Sequence, residues 1–227
     1  NPLDGLPMLP VTALHRRRLP RAIHDLEAAR IVRAAHELDR EAEGIPRAPL
    51  LQMLLATGAR WGELTAARWA DLDCARGLLE LRAETTKTRT ARIIPIGPES
   101  CELLFALRRE QTRAMGREPV HESVIFLTPR GKPWARDTAN FRRWLYRVME
   151  RAGVKRRDAT GRVVHIHALR HTFATRLARN GVPIQIAQKL TGHKSVQLLM
   201  DVYVHLDVED ARKAIEGLTP LPGLGTV

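Results

Sequence analysis

The sequence has few aromatic residues and only two cysteines. Aromatic side chains make up 4% of its 227 residues, which disfavours a protein that binds single strands by stacking bases on aromatic rings. Cys74 and Cys101 suit neither a disulfide scaffold nor a cysteine-rich zinc site, so a reducing cytoplasm is the default compartment. Hydrophobic residues make up 44% of the chain, which is enough to bury a sizeable core.

Long apolar runs are missing as well. The longest, from Pro49 to Ala56, is interrupted by Gln52, whereas a membrane-spanning helix needs about 20 consecutive apolar residues. No signal-peptide pattern opens the chain. We therefore expect no membrane partner.

What the sequence has in excess is arginine. Its 37 Lys and Arg residues outnumber 25 Asp and Glu, for a formal net charge of +12, and all but six of these bases are Arg. Residues 129–179 hold 14 of the bases and three acids. Codon bias would explain the total number of arginines but not this clustering. The uneven charge favours a polyanionic partner, nucleic acid first.

Hydrophobic spacing predicts a mainly helical α+β fold with one small antiparallel sheet. Apolar and polar residues alternate over residues 78–96 around a polar turn, which predicts a hairpin or small sheet with Pro95 on an edge strand. Helical periodicity starts near the following residues: Asp25 (a candidate N-cap), Pro49, Gly62 (running to Trp69), Glu99, Thr138, Leu169, Pro183, Ser195 and Glu209. Residues 1–20 are expected to form an arm or linker, and residues 218–227 an uncharged tail.

Five of the nine histidines lie in the last third of the chain, and a function should explain them. A zinc site built on His165, His167 and His171 is one explanation, since imidazoles are good zinc ligands. Against it, residues 159–200 contain no Asp or Glu to complete the ligand set.

An anion site is the second explanation. His167 and Arg170 are three residues apart at the start of a predicted helix, so both side chains lie on one face, at the helix end that attracts anions. A guanidinium and an imidazole there can hold a phosphate together. His171 falls on another face, where we expect a structural hydrogen bond.

Several short motifs, taken in order, resemble the tyrosine recombinases, or phage integrases. They are Thr-Gly-Ala-Arg-Trp-Gly-Glu-Leu at 57–64, Thr-Lys-Thr at 86–88, Arg-Ile-Ile-Pro-Ile at 92–96, His-Ala-Leu-Arg-His-Thr at 167–172, Thr-Gly-His at 191–193, and Tyr203. Each motif alone is a weak signal, but together and in the family's order they make a strong one. The resemblance covers the catalytic domain, which we place at residues 21–217.

The resemblance implies a site-specific recombinase or integrase that cuts and rejoins duplex DNA without metal, ATP or another cofactor. It makes Tyr203 the nucleophile, which forms a 3′-phosphotyrosine bond and frees a 5′-hydroxyl. The other implied site residues are the phosphate clamps Arg60 and Arg170, the phosphate-contacting and proton-transferring His167 and His193, the general acid Lys87, and Glu63, which supports the first arginine. Without the family order, Tyr203 alone would be interpreted as a packing residue.

The implied partner is double-stranded DNA, bound by a bacterial or phage-encoded, nucleoid-associated protein. The resemblance implies a homotetramer on paired DNA sites, with the C-terminal segment exchanged between neighbours, and allows a monomer without DNA. Basic residues outside the catalytic set are expected on backbone phosphates. These residues are Arg89, Arg92, Arg142, Arg143, Arg147, Lys155, Arg156 and Arg157.

Two departures from the family pattern stand out. Thr191 occupies a position where the family usually has Leu. Only about 20 residues precede the first predicted helix, so we expect the family's N-terminal core-binding domain to be absent from this chain. Three other functions remain open. They are relaxation of DNA by a type IB topoisomerase-like activity, DNA binding without catalysis, and zinc-dependent hydrolysis. The four tryptophans are expected in the core.

Overall fold

The computed structural model describes residues 20–82, 91–134, 138–193 and 195–204, without the side chains at positions 198, 201 and 204. The helices are α1 (Asp25–Arg40), α2 (Ala48–Thr57), α3 (Trp61–Thr65), α4 (Pro98–Met115), α5 (Ala139–Arg151), α6 (Ile166–Arg179), α7 (Ile184–Thr191) and α8 (Gln197–Val204). The strands are β1 (Leu72–Asp73), β2 (Leu78–Leu81) and β3 (Arg92–Pro95). Among the predicted site residues, Lys87 and Arg89 lie outside the described residues.

The three strands form one antiparallel sheet in the order β1-β2-β3, so β3 is an edge strand, as Pro95 predicts. Leu79 pairs with Ile94, and both side chains are buried against the helices. Glu80 and Ile93, the next residues along the two strands, point to the exposed face. The predicted α+β class, mainly helical with a small sheet, is confirmed.

Two helix boundaries differ from those predicted. The N-cap of α1 is His24 and not Asp25, because the His24 ring accepts the Leu26 N–H while Glu27 accepts the His24 N–H. The helix expected to run from Gly62 to Trp69 ends at Thr65. Beyond it the chain pairs with residues 121–125, and a short 3₁₀ turn follows at Trp69–Asp71.

Helix α2 lies at the centre of the core. All but two of its ten residues are buried, as expected for a helix that is apolar on every side. It packs against α1, α3, α4 and α6. A cluster of aromatic rings adds to the same core, since the Phe141 ring centroid lies 4.9 Å from that of Trp61 and 5.2 Å from that of Trp144. The tryptophans thus pack in or against the core, as predicted.

The last two described helices pack on a separate, smaller cluster. Its buried members come from α6, α7 and α8, and they are Ala174, Ala178, Ala187, Leu199 and Val202. Three of these five side chains are alanines, so the apolar surface that holds α8 is small. No described helix is both long and apolar enough to cross a membrane.

Gly58 connects the core to the candidate site described below. It ends α2 in the left-handed conformation (φ +60°), and a Cβ atom there would overlap the ring of Phe173. Gly116 ends α4 in the same conformation (φ +67°) with open space around it. A non-glycine residue would therefore meet the same backbone strain at both positions, and only the packing around it would differ.

We expect Gly116→Ala to lower the free energy of unfolding by about 1 kcal/mol, the cost of a left-handed non-glycine residue. Gly58→Ala adds overpacking against Phe173, which costs about 1–3 kcal/mol more. Urea unfolding of both variants measures the difference. Equal losses would contradict a close approach between Gly58 and Phe173.

Candidate active site

The C-terminal end of α2 and the start of α3 meet the first turn of α6 at a cavity. Its volume is about 450 Å³, and Arg60, Arg142, His165, His167 and Arg170 are among its lining residues. The cavity is therefore bordered by basic side chains. Sequence reasoning assigned four of these five side chains to DNA, and it considered His165 only as a metal ligand.

Glu63 is the acidic residue of this cationic region, and 1% of its surface is exposed. Its carboxylate accepts hydrogen bonds from Arg60 Nη1 at 2.6 Å, from the Arg60 backbone N–H at 2.9 Å and from Arg92 Nη2 at 2.8 Å. Burial alone would raise the pKa of Glu63, but these hydrogen bonds and the charges of Arg92 and Arg60 hold it below the usual value. Glu63 therefore stays ionised and fixes both guanidinium groups.

Arg170 is 3% exposed and only partly satisfied. Its Nη1 donates to the Gly58 carbonyl oxygen at 2.7 Å, while its Nε and Nη2 have no hydrogen-bond partner among the described residues. Burial, followed by the charges of Arg60 and Arg92, lowers the pKa of Arg170 to about 9, so the group is still a cation at neutral pH. A buried cation with unused donors is costly, and an anion in the cavity would satisfy it.

His167 lies in the first turn of α6, and its ring stacks on that of His165 with 6.3 Å between the centroids. Burial lowers the pKa of His165, which favours its neutral form. Burial also lowers the pKa of His171, to about 4. The structural hydrogen bond expected for the His171 ring is not found among the described residues.

His193 lies in the turn that follows α7, and several hydrogen bonds hold this turn. Arg60 Nη2 donates to the Gly192 carbonyl oxygen at 3.1 Å, and Gln188 Nε2 donates to the His193 carbonyl oxygen at 3.1 Å. Gly192 has φ +64°, and a Cβ atom there would overlap the Arg92 guanidinium. Burial first, and then the charges of Arg170 and Arg60, lower the pKa of His193 to about 3. The ring is therefore neutral at pH 7.

Arg92 occupies a place that sequence reasoning did not foresee. It was assigned to the DNA backbone, but its side chain is 13% exposed and forms an ion pair with Glu63. The signal was available, because Arg92 shares a face of β3 with the buried Ile94 while Ile93 points outward. The other two interactions that sequence reasoning missed are the Gly58 carbonyl bonded to Arg170 and the Thr191 hydroxyl bonded to His193.

Tyr203 lies apart from the cavity. Its hydroxyl donates to the Val182 carbonyl oxygen at 2.6 Å, just beyond the C-terminal end of α6. Arg170 is in the first turns of the same helix, nine residues before its end, and this separation corresponds to about 14 Å along the axis. Burial raises the pKa of Tyr203. The structure thus brings Arg60, Glu63, His167, Arg170 and His193 together without Tyr203.

The remaining predicted basic residues lie on the surface. Arg156 stacks over the Tyr146 ring, 4.3 Å from its centroid. The predicted residues Arg142, Arg143, Arg147, Lys155, Arg156 and Arg157 are all exposed, on α5 and on the loop after it. Among the described residues, no group of three His, Cys, Asp or Glu side chains is placed to hold a metal ion.

Comparisons with known proteins bear on this geometry. The model of the phage integrase family matches residues 23–210. Tyrosine recombinase XerC of Pelotomaculum thermopropionicum is 29% identical over 215 residues, which cover 93% of this chain and 66% of that protein. A crystal structure of XerA recombinase is 26% identical with a TM-score of 0.66, and the match covers 92% of this chain and 68% of that one.

A structure of XerH recombinase bound to palindromic difH substrate, in a post-cleavage complex, shares the fold at 20% identity. Its TM-score is 0.65, over 88% of this chain and 53% of that chain. Most of the chain matches the family model, so it belongs to the phage integrase family of tyrosine recombinases. The chain spans 66% of the length of the XerC relative and 52% of that of XerD from Corynebacterium glutamicum.

Glu63→Gln is expected to lower the free energy of unfolding at pH 7 by about 3 kcal/mol, because it leaves two partly buried guanidinium groups without their carboxylate. The folded-state pKa is lowered, so the Glu63 contribution is complete above the unfolded-state carboxyl pKa and is lost as the pH falls through the folded one.

Urea unfolding at pH 7 and in steps below pH 4.5 measures this difference between Glu63→Gln and the unmodified chain. The difference should shrink with falling pH. The exposed Glu80→Gln is the control, with an expected change within about 0.5 kcal/mol. A Glu63→Gln effect as small as the control would mean that the carboxylate does not support the arginines.

Proposed function

We propose that this chain carries the catalytic centre of a site-specific recombinase that cleaves and rejoins duplex DNA through a 3′-phosphotyrosine bond. The observation that carries the proposal is Arg170, a buried guanidinium with two unused donor atoms beside a cavity lined by further cations. A phosphodiester has the negative charge and the acceptor oxygens that these unpaired donors can bind. The relatives are recombinases, so topoisomerase-like relaxation, DNA binding alone and zinc hydrolysis are not favoured.

In this proposal the two arginines stabilise the charge on the reacting phosphate. Phosphoryl transfer requires mainly positioning and charge stabilisation at the non-bridging oxygens, and planar guanidinium forks fit these oxygens better than ammonium groups do. Glu63 orients Arg60 from behind, and the Gly58 carbonyl orients Arg170. His167, in the same helical turn as Arg170, contributes to phosphate binding and proton transfer.

The nucleophile in this proposal is Tyr203, which must first leave the Val182 carbonyl. A phenol with a pKa of about 10 is a weak nucleophile at neutral pH, and burial in the present position raises the pKa further. Beside Arg60 and Arg170, the cationic surroundings would lower it. Movement of α8 toward the cavity therefore brings the hydroxyl to the phosphate and activates it in one step.

The chemistry balances without an external energy source. The Tyr203 oxygen bonds to phosphorus while its proton passes to a histidine of the site. The bond from phosphorus to the 5′-oxygen breaks, and this oxygen takes a proton from a general acid, which we assign to Lys87. The phosphotyrosine ester keeps the energy of the phosphodiester, so a 5′-hydroxyl from another strand can reverse the reaction. Exchange of strands then follows without ATP.

Duplex binding is assigned to the exposed basic surface of α5 and its following loop, where phosphate contacts provide affinity that depends on salt. XerH was solved on its difH substrate, and we propose a DNA substrate for this chain as well. A homotetramer on paired sites and a cytoplasmic location complete the proposal.

Tyr203→Phe is expected to abolish the covalent protein–DNA adduct, because no hydroxyl remains to attack phosphorus. The probe is a pool of nicked duplexes with randomised sequence, in which a short fragment diffuses away after cleavage and traps the adduct. Denaturing gel electrophoresis detects the adduct. The matched control is Tyr146→Phe at the other tyrosine, which should form as much adduct as the unmodified chain.

One result would contradict the proposal, and a second would disqualify the assay. Adduct that persists in Tyr203→Phe would remove Tyr203 as the nucleophile. Adduct lost equally in Tyr146→Phe and Tyr203→Phe would show that the assay reports damage to the fold, and circular dichroism of both variants provides the comparison.

A further inference from the structure

Thr191, the residue that departs from the family pattern, bonds directly to a histidine of the candidate site. Its side chain is fully buried, and its Oγ1 lies 2.7 Å from Nδ1 of His193. The same oxygen lies 2.7 Å from the Ala187 carbonyl oxygen, four residues earlier in α7, and 3.4 Å from that of Gln188. One hydroxyl thus connects the helix backbone to the imidazole.

The single proton of the Thr191 hydroxyl determines the direction of its hydrogen bonds to Ala187 and His193. A hydroxyl has a single proton, and two oxygens 2.7 Å apart need one between them, since a carbonyl oxygen only accepts. The proton of Thr191 is therefore used on the Ala187 carbonyl. Toward His193 the hydroxyl oxygen can only accept, so Nδ1 of His193 must carry a hydrogen.

The second ring nitrogen follows from the charge of the ring. Burial lowers the pKa of His193 to about 3, together with the charges of Arg170, Arg60, His167 and Arg92. A neutral imidazole has one N–H, and here that hydrogen is on Nδ1. Nε2 is then left with its lone pair.

We propose that Thr191 is a positioning residue that fixes the tautomer of His193, with the hydrogen on Nδ1 and Nε2 free to accept a proton. The turn around the ring supports this role, because Gln188 and Arg60 hold the backbone carbonyls of His193 and Gly192. The imidazole and the backbone of His193 are thus both held by residues at the C-terminal end of α7. A leucine at position 191 has no atom that could direct the tautomer.

This inference rests on the proposed function for its consequence in catalysis. A neutral His193 with a bare Nε2 cannot donate to a phosphate oxygen. In this proposal the anionic phosphodiester, once bound among the cations, raises the pKa of the ring from its DNA-free value. Nε2 can then take the proton that leaves the Tyr203 hydroxyl as the oxygen bonds to phosphorus. Thr191 thereby selects proton acceptance over phosphate donation at this position. The assignment of the His193 tautomer, however, concerns the DNA-free protein and can be tested without any reaction.

The test compares the chain with Thr191→Val, which removes the hydroxyl at nearly constant size, and with Thr191→Ser, which retains it. Long-range ¹H–¹⁵N correlation spectra of histidine-labelled, DNA-free protein distinguish a protonated from an unprotonated ring nitrogen. His193→Asn identifies the signals by their loss. We expect Nδ1–H with bare Nε2 in the unmodified chain and in Thr191→Ser, and a shift toward Nε2–H in Thr191→Val.

A control separates this effect from the loss of any helix threonine. Thr112 in α4 also donates to the carbonyl four residues earlier, at 2.9 Å, and bonds to no ring among the described residues. Thr112→Val should leave the His193 signals unchanged. Adduct formation on the nicked duplexes should slow by about 10- to 100-fold in Thr191→Val, because proton transfer is impaired, and should recover in Thr191→Ser.

Two spectroscopic results would overturn the proposal. One is Nε2–H in the unmodified chain, and the other is Nδ1–H that persists in a folded Thr191→Val. If the spectra agree with the proposal and the unmodified chain forms no adduct, the tautomer assignment stands and the proposed function fails.

Discussion

The buried carboxylate of Glu63 is the interaction on which the candidate site depends. In a chain with a formal charge of +12, it is the acid that binds Arg60 and Arg92 and lowers the cost of placing them near Arg170. Arg60 in turn holds the Gly192 carbonyl, so the His193 turn is fixed by the same carboxylate. One ionised side chain thus connects α3, β3 and the end of α7 into a rigid cationic frame.

The frame and the proposed nucleophile belong to different parts of the packing. Most of the frame is attached to the large core around α2, whereas Tyr203 is on α8, which packs on a small cluster with three alanines. A helix held by little buried apolar surface can be released at low free-energy cost. This division is consistent with a preformed phosphate site and a tyrosine that reaches it only after α8 moves from the Val182 carbonyl.

Much of the fold followed from local signals in the sequence. The 3.6-residue periodicity located the helices, and the alternation in 78–96 located the sheet. The contacts of Glu63 with Arg60 and Arg92 could not be predicted in full from the sequence. They join elements far apart in the chain and depend on packing that no local pattern contains. The motif order predicted Arg60, Arg170 and His193 as site residues. It did not predict that Arg92 pairs with Glu63 or that Thr191 bonds to the imidazole.

In the proposed function, the unused donors of Arg170 bind the phosphodiester. The most direct measurement is a crystal structure of this chain bound to a nicked duplex, with attention to the atoms around Arg170. We expect non-bridging phosphate oxygens within hydrogen-bond distance of Nε and Nη2, while Nη1 still donates to the Gly58 carbonyl oxygen. A duplex bound with its phosphates elsewhere, and Nε and Nη2 of Arg170 still unpaired, would contradict it.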